Sequence, residues 1–407
     1  VTRGPALSRT AAAIGASVFA DLADRIEERR RAGADLIELH IGDTHRAPAP
    51  EARFARADGP AFDAALYRYG AVGGLDLLKE AFAEKLAAAA HGPAALDPGK
   101  HLLVACGATH ALFCAARAVL DPGDEVLVAA PYWPLSVGVL RAAGAVPVEV
   151  PLTTRLHDDP SLDPAELLAP AVTPRTRALY VITPNNPDGH VLSASQLASL
   201  ARFAESHDLW LLADEVYCDY VYEGEHGSPA RLAGLSERTI AVHSLSKSHA
   251  LAGARVGFAV GPAPAMALAR RVATHTVFNV PVAAQRVALA ALRSGAPWLE
   301  QARAAHREAR DAAVQALATL EREGVRVPRP AGGSYAFLDL GPRLRQGRRT
   351  LPLKEALARA VDEGVLLAPG DAFGAEYGTW ARLCFTSEPP ARVIEGVERL
   401  RSALARL

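Results

Sequence analysis

Thr239-Ile240-Ala241-Val242-His243-Ser244-Leu245-Ser246-Lys247-Ser248 runs from an apolar segment almost directly into a lysine. An apolar run with no polar alternation reads as a strand buried on both faces, the kind that builds parallel sheets. The lysine then falls just past the end of that strand. A lysine held there is costly as a cation, so its pKa falls. A lowered pKa is what an amine needs to join an aldehyde as an imine. Two neighbours in sequence bear on the same point: Gly253-Ala254-Arg255-Val256-Gly257 downstream, and Ala213-Asp214-Glu215-Val216-Tyr217 upstream.

Outward from this strand the same alternation recurs. Strands are predicted at Leu102 to Ala105, Glu125 to Ala129, Val146 to Val150, Ala178 to Ile182, Trp210 to Ala213 and Val256 to Val260. Helices are predicted between and after them, at Ala108 to Leu120, Pro134 to Ala143, Ser193 to Glu205 and Pro262 to Ala273. Short apolar strands separated by helices predict an α/β fold with a mainly parallel sheet covered by helices. Before this block lie a charged helix, Phe19 to Ala32, a strand, Leu36 to Ile41, and a helix, Asp76 to Ala90. After it come a long helical region, Gln285 to Glu323, interrupted near Gly295-Ala296-Pro297, then strand Tyr335 to Leu340, helix Lys354 to Glu363, strands Val365 to Ala368 and Arg382 to Phe385, and helix Ala391 to Leu407. That looser alternation predicts a smaller α+β domain, formed by the N-terminal segment and the C-terminal part. The expected division is residues 1–45, 46–284 and 285–407.

Composition sets the bounds. The chain has 407 residues, more than one compact core usually holds. Half the residues are apolar, 22% are charged, and the net charge is −1. This describes a globular protein with no basic footprint for nucleic acid. No apolar run reaches the length of a membrane span, and Val1 to Ala20 makes a poor secretory signal. Cys106, Cys114, Cys218 and Cys384 form no CxxC pair, which fits a reduced cytoplasm.

Several residues at predicted strand ends carry chemistry. Gly107-Ala108-Thr109 opens a helix, where free N–H groups bind phosphate, or where Thr simply caps. Pro131-Tyr132-Trp133-Pro134 offers an aromatic to stack on a flat ring, or a hydrophobic plug. Asn186, in Pro184-Asn185-Asn186-Pro187-Asp188-Gly189, sits in a turn and is able to donate to a ligand oxygen. Asp214 suits a protonated ring nitrogen or a helix N-cap, and Tyr217 follows on the same side. Ser244 and Arg255 add phosphate donors. Arg382 stands in an apolar strand and needs a partner, either a substrate carboxylate or a structural acid. Amine, ring-nitrogen partner, ring-oxygen donors, stacking ring and phosphate cup together specify pyridoxal phosphate, placed at strand ends where open α/β sheets bind ligands.

Asn186-Pro187-x-Gly189, Asp214-x-x-Tyr217, Ser244-x-x-Lys247 and Arg255, with the match running from Ile41-Gly42-Asp43 to Arg382, resemble the class I/II aminotransferases of the fold-type I pyridoxal-phosphate enzymes. The resemblance implies that Lys247 forms the internal aldimine and shuttles the proton. It implies that Asp214 holds the pyridinium nitrogen, that Tyr217 and Asn186 bond the phenolic oxygen, and that Trp133 stacks on the ring. Ala108, Thr109, Ser244 and Arg255 would hold the phosphate. Arg382 would grip the substrate α-carboxylate, helped by the Gly42 backbone and Asn186. Tyr69, in Tyr69-Gly70-Ala71-Val72-Gly73-Gly74, looks like the tyrosine that reaches the phosphate of a partner subunit, which implies a homodimer.

The implied reaction moves the amino group of an L-amino acid to a 2-oxo acid by ping-pong chemistry, with no metal. A lyase, cyclase or oxidase would use the same residues, and an inactive cofactor-binding regulator is the reading outside enzymes. The chain departs from the family in three places. Asp188 stands where Thr is usual, Tyr69-Gly70-Ala71 lacks a frequent proline, and Asp43-Thr44-His45 replaces a common Glu-Pro-Asp. His45 and Arg46 then read either as substrate contacts or as solvated loop.

Overall fold

The structure, a computed structural model, describes residues 7–15, 18–56, 63–232, 235–346 and 349–407. The stretch Val1 to Ala20, read above for a secretory signal, falls partly outside them. Seven strands form the large sheet: β1 (Leu102–Ala105), β2 (Glu125–Ala130), β3 (Val146–Pro151), β4 (Thr176–Ile182), β5 (Trp210–Asp214), β6 (Thr239–Ser244) and β7 (Gly257–Val260). Their order is β1-β7-β6-β5-β4-β2-β3. All neighbours are parallel except at β7, which runs against both β1 and β6.

That reversal positions the site. The start of β7 lies at the edge where the other six strands end, so Arg255, two residues before β7, arrives beside Ser244 and Gly107. The strands are unalternating because helices cover both faces. One layer, with Leu112, Ala115 and Ala116 of helix Gly107–Val119 and Met266 and Ala269 of helix Ala263–Thr276, packs on one side. Helix Ala194–Ser206 packs on the other through Leu197, Leu200 and Phe203. β3, at the sheet edge, keeps two exposed positions, and elsewhere in the sheet Arg177 of β4 is exposed.

The smaller sheet has three antiparallel strands: β8 (Tyr335–Asp339), β9 (Ala368–Pro369) and β10 (Trp380–Cys384). Leu338 and Leu383 share a core with helices Ala296–Arg322, Leu353–Asp362 and Pro390–Ala405. Ile37 and Leu39 of the N-terminal segment lie in that same core, and Ile37–Glu38 pairs in parallel with Val365–Leu366. The α/β fold with a mainly parallel large sheet and a smaller unit built from both ends of the chain is therefore present. The strand expected at Val365 to Ala368 divides, because Val365–Leu366 pairs with the N-terminal segment and Ala368–Pro369 with β10. Residues 284 and 285 lie inside one helix, Val282–Ser294, whose Val287 and Ala291 pack with Leu78 and Phe82.

Candidate active site

A cavity of about 320 Å³ opens at the carboxyl ends of the parallel strands. Gly42, Ala108, Thr109, Trp133, Asn186, Asp214, Tyr217, Ser244, Lys247, Arg255 and Arg382 all line it. Tyr69 does not. The residue is 87% exposed, and its ring stands edge-on to that of Phe278 at 5.1 Å between centroids, on an outer surface.

At one end, two glycines allow close approaches, one to a cation and one between two stretches of backbone. Gly107, at φ +76°, turns the chain from β1 into its helix, and a Cβ there would lie 2.3 Å from Nη2 of Arg255. A Cβ on Gly257 would lie 2.5 Å from the backbone nitrogen of Ala108. Ser244 Oγ accepts the Ser246 N–H at 3.0 Å, and Ser246 also faces the cavity. Arg255 donates to the Ala252 carbonyl at 2.8 Å, and among the described residues no carboxylate pairs with it. A helix N-terminus, two hydroxyls and an arginine without an acid suit a phosphate dianion.

In the middle lies Asp214. No helix follows it, so it caps none; it accepts the Val216 N–H at 3.2 Å and the Tyr180 hydroxyl at 3.1 Å. Burial pushes its carboxyl up to about 6, against the opposing pull of those two hydrogen bonds. A cation placed beside it would restore the carboxylate, which is what a protonated ring nitrogen supplies. Trp133 is half-buried on the cavity wall, whereas Tyr132 is the buried plug, its hydroxyl donating to Glu149. Tyr217 shares a hydrogen bond of 2.7 Å with the hydroxyl of Tyr335.

Lys247 Nζ donates to the Gly42 carbonyl, and burial lowers its pKa, with Asp43 opposing. Arg382 is buried, donating to Asn186 Oδ1 at 3.0 Å and to the His40 carbonyl at 2.8 Å. Its Nε is buried without a partner, and among the described residues no acid pairs with it. The alternative of a structural salt bridge is thereby removed, and a carboxylate ligand would complete the arginine.

Some residues behave differently from expectation. Asp188, expected in an ordinary turn, is fully buried, and bonds the Thr153 hydroxyl, the Asn185 amide at 2.8 Å and the His190 N–H at 3.1 Å. It braces the turn that presents Asn186. His45 and Arg46 do not line the cavity; His45 is exposed and Arg46 lies 5.8 Å over Trp298. Glu215 turns away to His226 and Ser228. Tyr335, Leu135, Ile182, Val216, Ser246 and Ala252 also line the cavity, beyond the residues expected there. In sequence Tyr335 reads as an ordinary strand residue, and no local signal marks it.

A profile of known families, aminotransferase class I and II, matches residues 34–400. The chain belongs to the class I and II aminotransferases. It is 34% identical over 407 residues to an aspartate/prephenate aminotransferase of Thermus thermophilus, covering 98% of this chain and 99% of that protein. It is 34% identical over 389 residues to an arginine–pyruvate transaminase of Pseudomonas aeruginosa, covering 95% and 93%. A solved aspartate aminotransferase of Thermus thermophilus with maleate superposes at TM-score 0.86, with 32% identity, over 98% of this chain and all of that one. This aminotransferase is a pyridoxal-phosphate-dependent transaminase of ping-pong mechanism. Among its described residues no helix is long and apolar enough to cross a membrane.

Proposed function

We propose that this aminotransferase carries the cofactor on Lys247 and moves the amino group of an L-amino acid to a 2-oxo acid within the cavity described above. Arg382 carries this reading, because a buried guanidinium whose Nε has no partner, with no acid beside it among the described residues and facing an amine-bearing cavity, asks for a carboxylate substrate. When bound, pyridoxal phosphate supplies an aldehyde that takes up the amino group and a ring that stores the electron pair.

The protein's part follows from its side chains. Ala108, Thr109, Ser244 and Arg255 hold the phosphate. Asp214 keeps the ring nitrogen protonated, with Tyr180 fixing its carboxylate. Tyr217 and Asn186 donate to the ring oxygen; Asn186 Oδ1 is already engaged by Arg382, so its amide N–H is the group left to donate. Trp133 covers the ring. Arg382 and the Gly42 backbone orient the α-carboxylate. Lys247, once displaced by the incoming amine, removes the α-proton as a neutral base, and burial favours that neutral form.

Tyr69 is assigned to the cofactor phosphate of a second protomer, which its exposure beside Phe278 supports. The working form is then a homodimer. The division proposed for the protomer is residues 1–45, 46–294 and 295–407, the second boundary lying at Gly295 rather than after residue 284 so that helix Val282–Ser294 stays whole.

Among the described residues, Lys247, Arg255 and Arg382 are the cations on this cavity. With one assigned to each of imine, phosphate and α-carboxylate, a second substrate carboxylate would need a cation from elsewhere. A donor panel tests the function. Amino acids added singly, without acceptor, should convert the bound cofactor to its amine form, read by absorbance. Ammonia or peroxide release without oxo-acid consumption would point instead to a lyase or an oxidase.

A further inference from the structure

Tyr335 is fully buried and touches three parts of the site at once. Its hydroxyl meets that of Tyr217 at 2.7 Å, with the rings edge-on at 5.7 Å between centroids. Its ring face lies 4.2 Å from the guanidinium carbon of Arg382. A Cβ on Gly42 would fall 2.0 Å from its hydroxyl oxygen, so the backbone at 42 closes the far side. Tyr217 is the one hydrogen-bond partner of that hydroxyl among the described residues.

The placement of Tyr335 is firmly held. It opens β8, paired with Cys384 of β10, and the preceding loop is pinned by Tyr222 donating to the Gly333 carbonyl at 2.6 Å. The ring therefore has little freedom to turn away.

Each phenol has one proton to give. If Tyr217 donates to Tyr335, it has none for a ligand. If Tyr335 donates, the Tyr217 proton is left for the cavity. The cation over the Tyr335 ring decides the direction, because it draws electron density from the π-system and makes that hydroxyl the better donor. We propose that Tyr335 is a positioning residue that donates to Tyr217 and so aims the Tyr217 proton at the ring oxygen of the bound cofactor. This rests on the roles of Tyr217 and Lys247 proposed above.

The test is a pH titration of the bound cofactor's visible absorbance in the holoenzyme. A donor to the ring oxygen lowers that oxygen's affinity for a shared proton, so weakening the donor raises the midpoint. Tyr335→Phe keeps the ring under Arg382 and removes only the hydroxyl. Its midpoint should rise by about half a pH unit or more. In a Tyr217→Phe background the same substitution should add nothing, because its effect passes through Tyr217. Gly42→Ala, which pushes the Tyr335 hydroxyl away without removing it, should raise the midpoint too and stands in if Tyr335→Phe misfolds. An unmoved midpoint in these variants, or a shift that persists without the Tyr217 hydroxyl, overturns the proposal. A midpoint unmoved by Tyr217→Phe itself would instead sink the underlying assignment of Tyr217, and this proposal with it.

Discussion

The guanidinium of Arg382 and the side-chain carbonyl of Asn186 meet at 3.0 Å across 196 positions of sequence. One comes from the small sheet and the other from the turn after β4, so the contact joins the proposed carboxylate grip to the ring-oxygen donor. Arg382→Lys keeps the charge but loses the planar fork. It should cost about 3 kcal/mol, roughly a hundredfold in kcat/KM for the amino donor, with cofactor affinity little changed. Steady-state kinetics beside a cofactor titration would check this, and equal losses in both would contradict the assignment.

Asp214 gives a pH dependence with a definite sign. Burial raises its carboxyl from 3.8 to about 6 in the cofactor-free protein. Between those values the folded state holds a proton that the unfolded chain has released. The group therefore takes stability away as pH rises through that window, and the loss is complete above it, at roughly 3 kcal/mol at most. Asp214→Asn should accordingly raise the melting temperature of the cofactor-free protein at pH 8, and the gap should close toward pH 4. The same variant should bind cofactor more weakly. A variant less stable than the parent at pH 8 would show that Asp214 is not strained by burial.

Gly107 should resist substitution for two separable reasons. Ala there adopts φ +76° and also meets Arg255. Gly123, at φ +95°, has open space around its missing Cβ. Both alanine variants carry the backbone strain, about 1–2 kcal/mol. Only Gly107→Ala should weaken cofactor binding, by roughly tenfold, through displaced Arg255. Equal cofactor affinities in the two variants would show that the close approach to Arg255 does not matter.

Much of this site was legible because its residues fall at the ends of short apolar strands, where a local pattern marks the place. β1, β5 and β6 announce Gly107, Asp214 and Lys247 that way. What was not legible depends on contacts between distant segments. Tyr335 reaches the cavity only because β8 pairs with β10. Asp188 looks like a turn residue until Thr153, 35 positions away, packs over it. The antiparallel course of β7, which brings Arg255 beside Ser244 and Gly107, has no trace in the composition of Gly257–Val260. Arg382 left two readings open that only the absence of an acid beside it could separate.

The proposed homodimer rests on Tyr69, and hybrid complementation tests it. Tyr69→Ala and Lys247→Ala should each be nearly inactive alone. In a mixed population, a hybrid dimer regains one whole site, combining Lys247 of one protomer with Tyr69 of the other. Activity recovered on mixing is the expected result. No recovery, with dimers present by sedimentation, would place Tyr69 outside the site.

Lys247 is proposed as the amine that binds the cofactor aldehyde. Reduction of the holoenzyme with borohydride, followed by proteolysis and mass spectrometry, tests it most directly. The expected result is a phosphopyridoxyl group on the peptide containing Ser244-Leu245-Ser246-Lys247-Ser248, and none in Lys247→Ala. A stable adduct on another lysine, with Lys247 unmodified, would contradict the account.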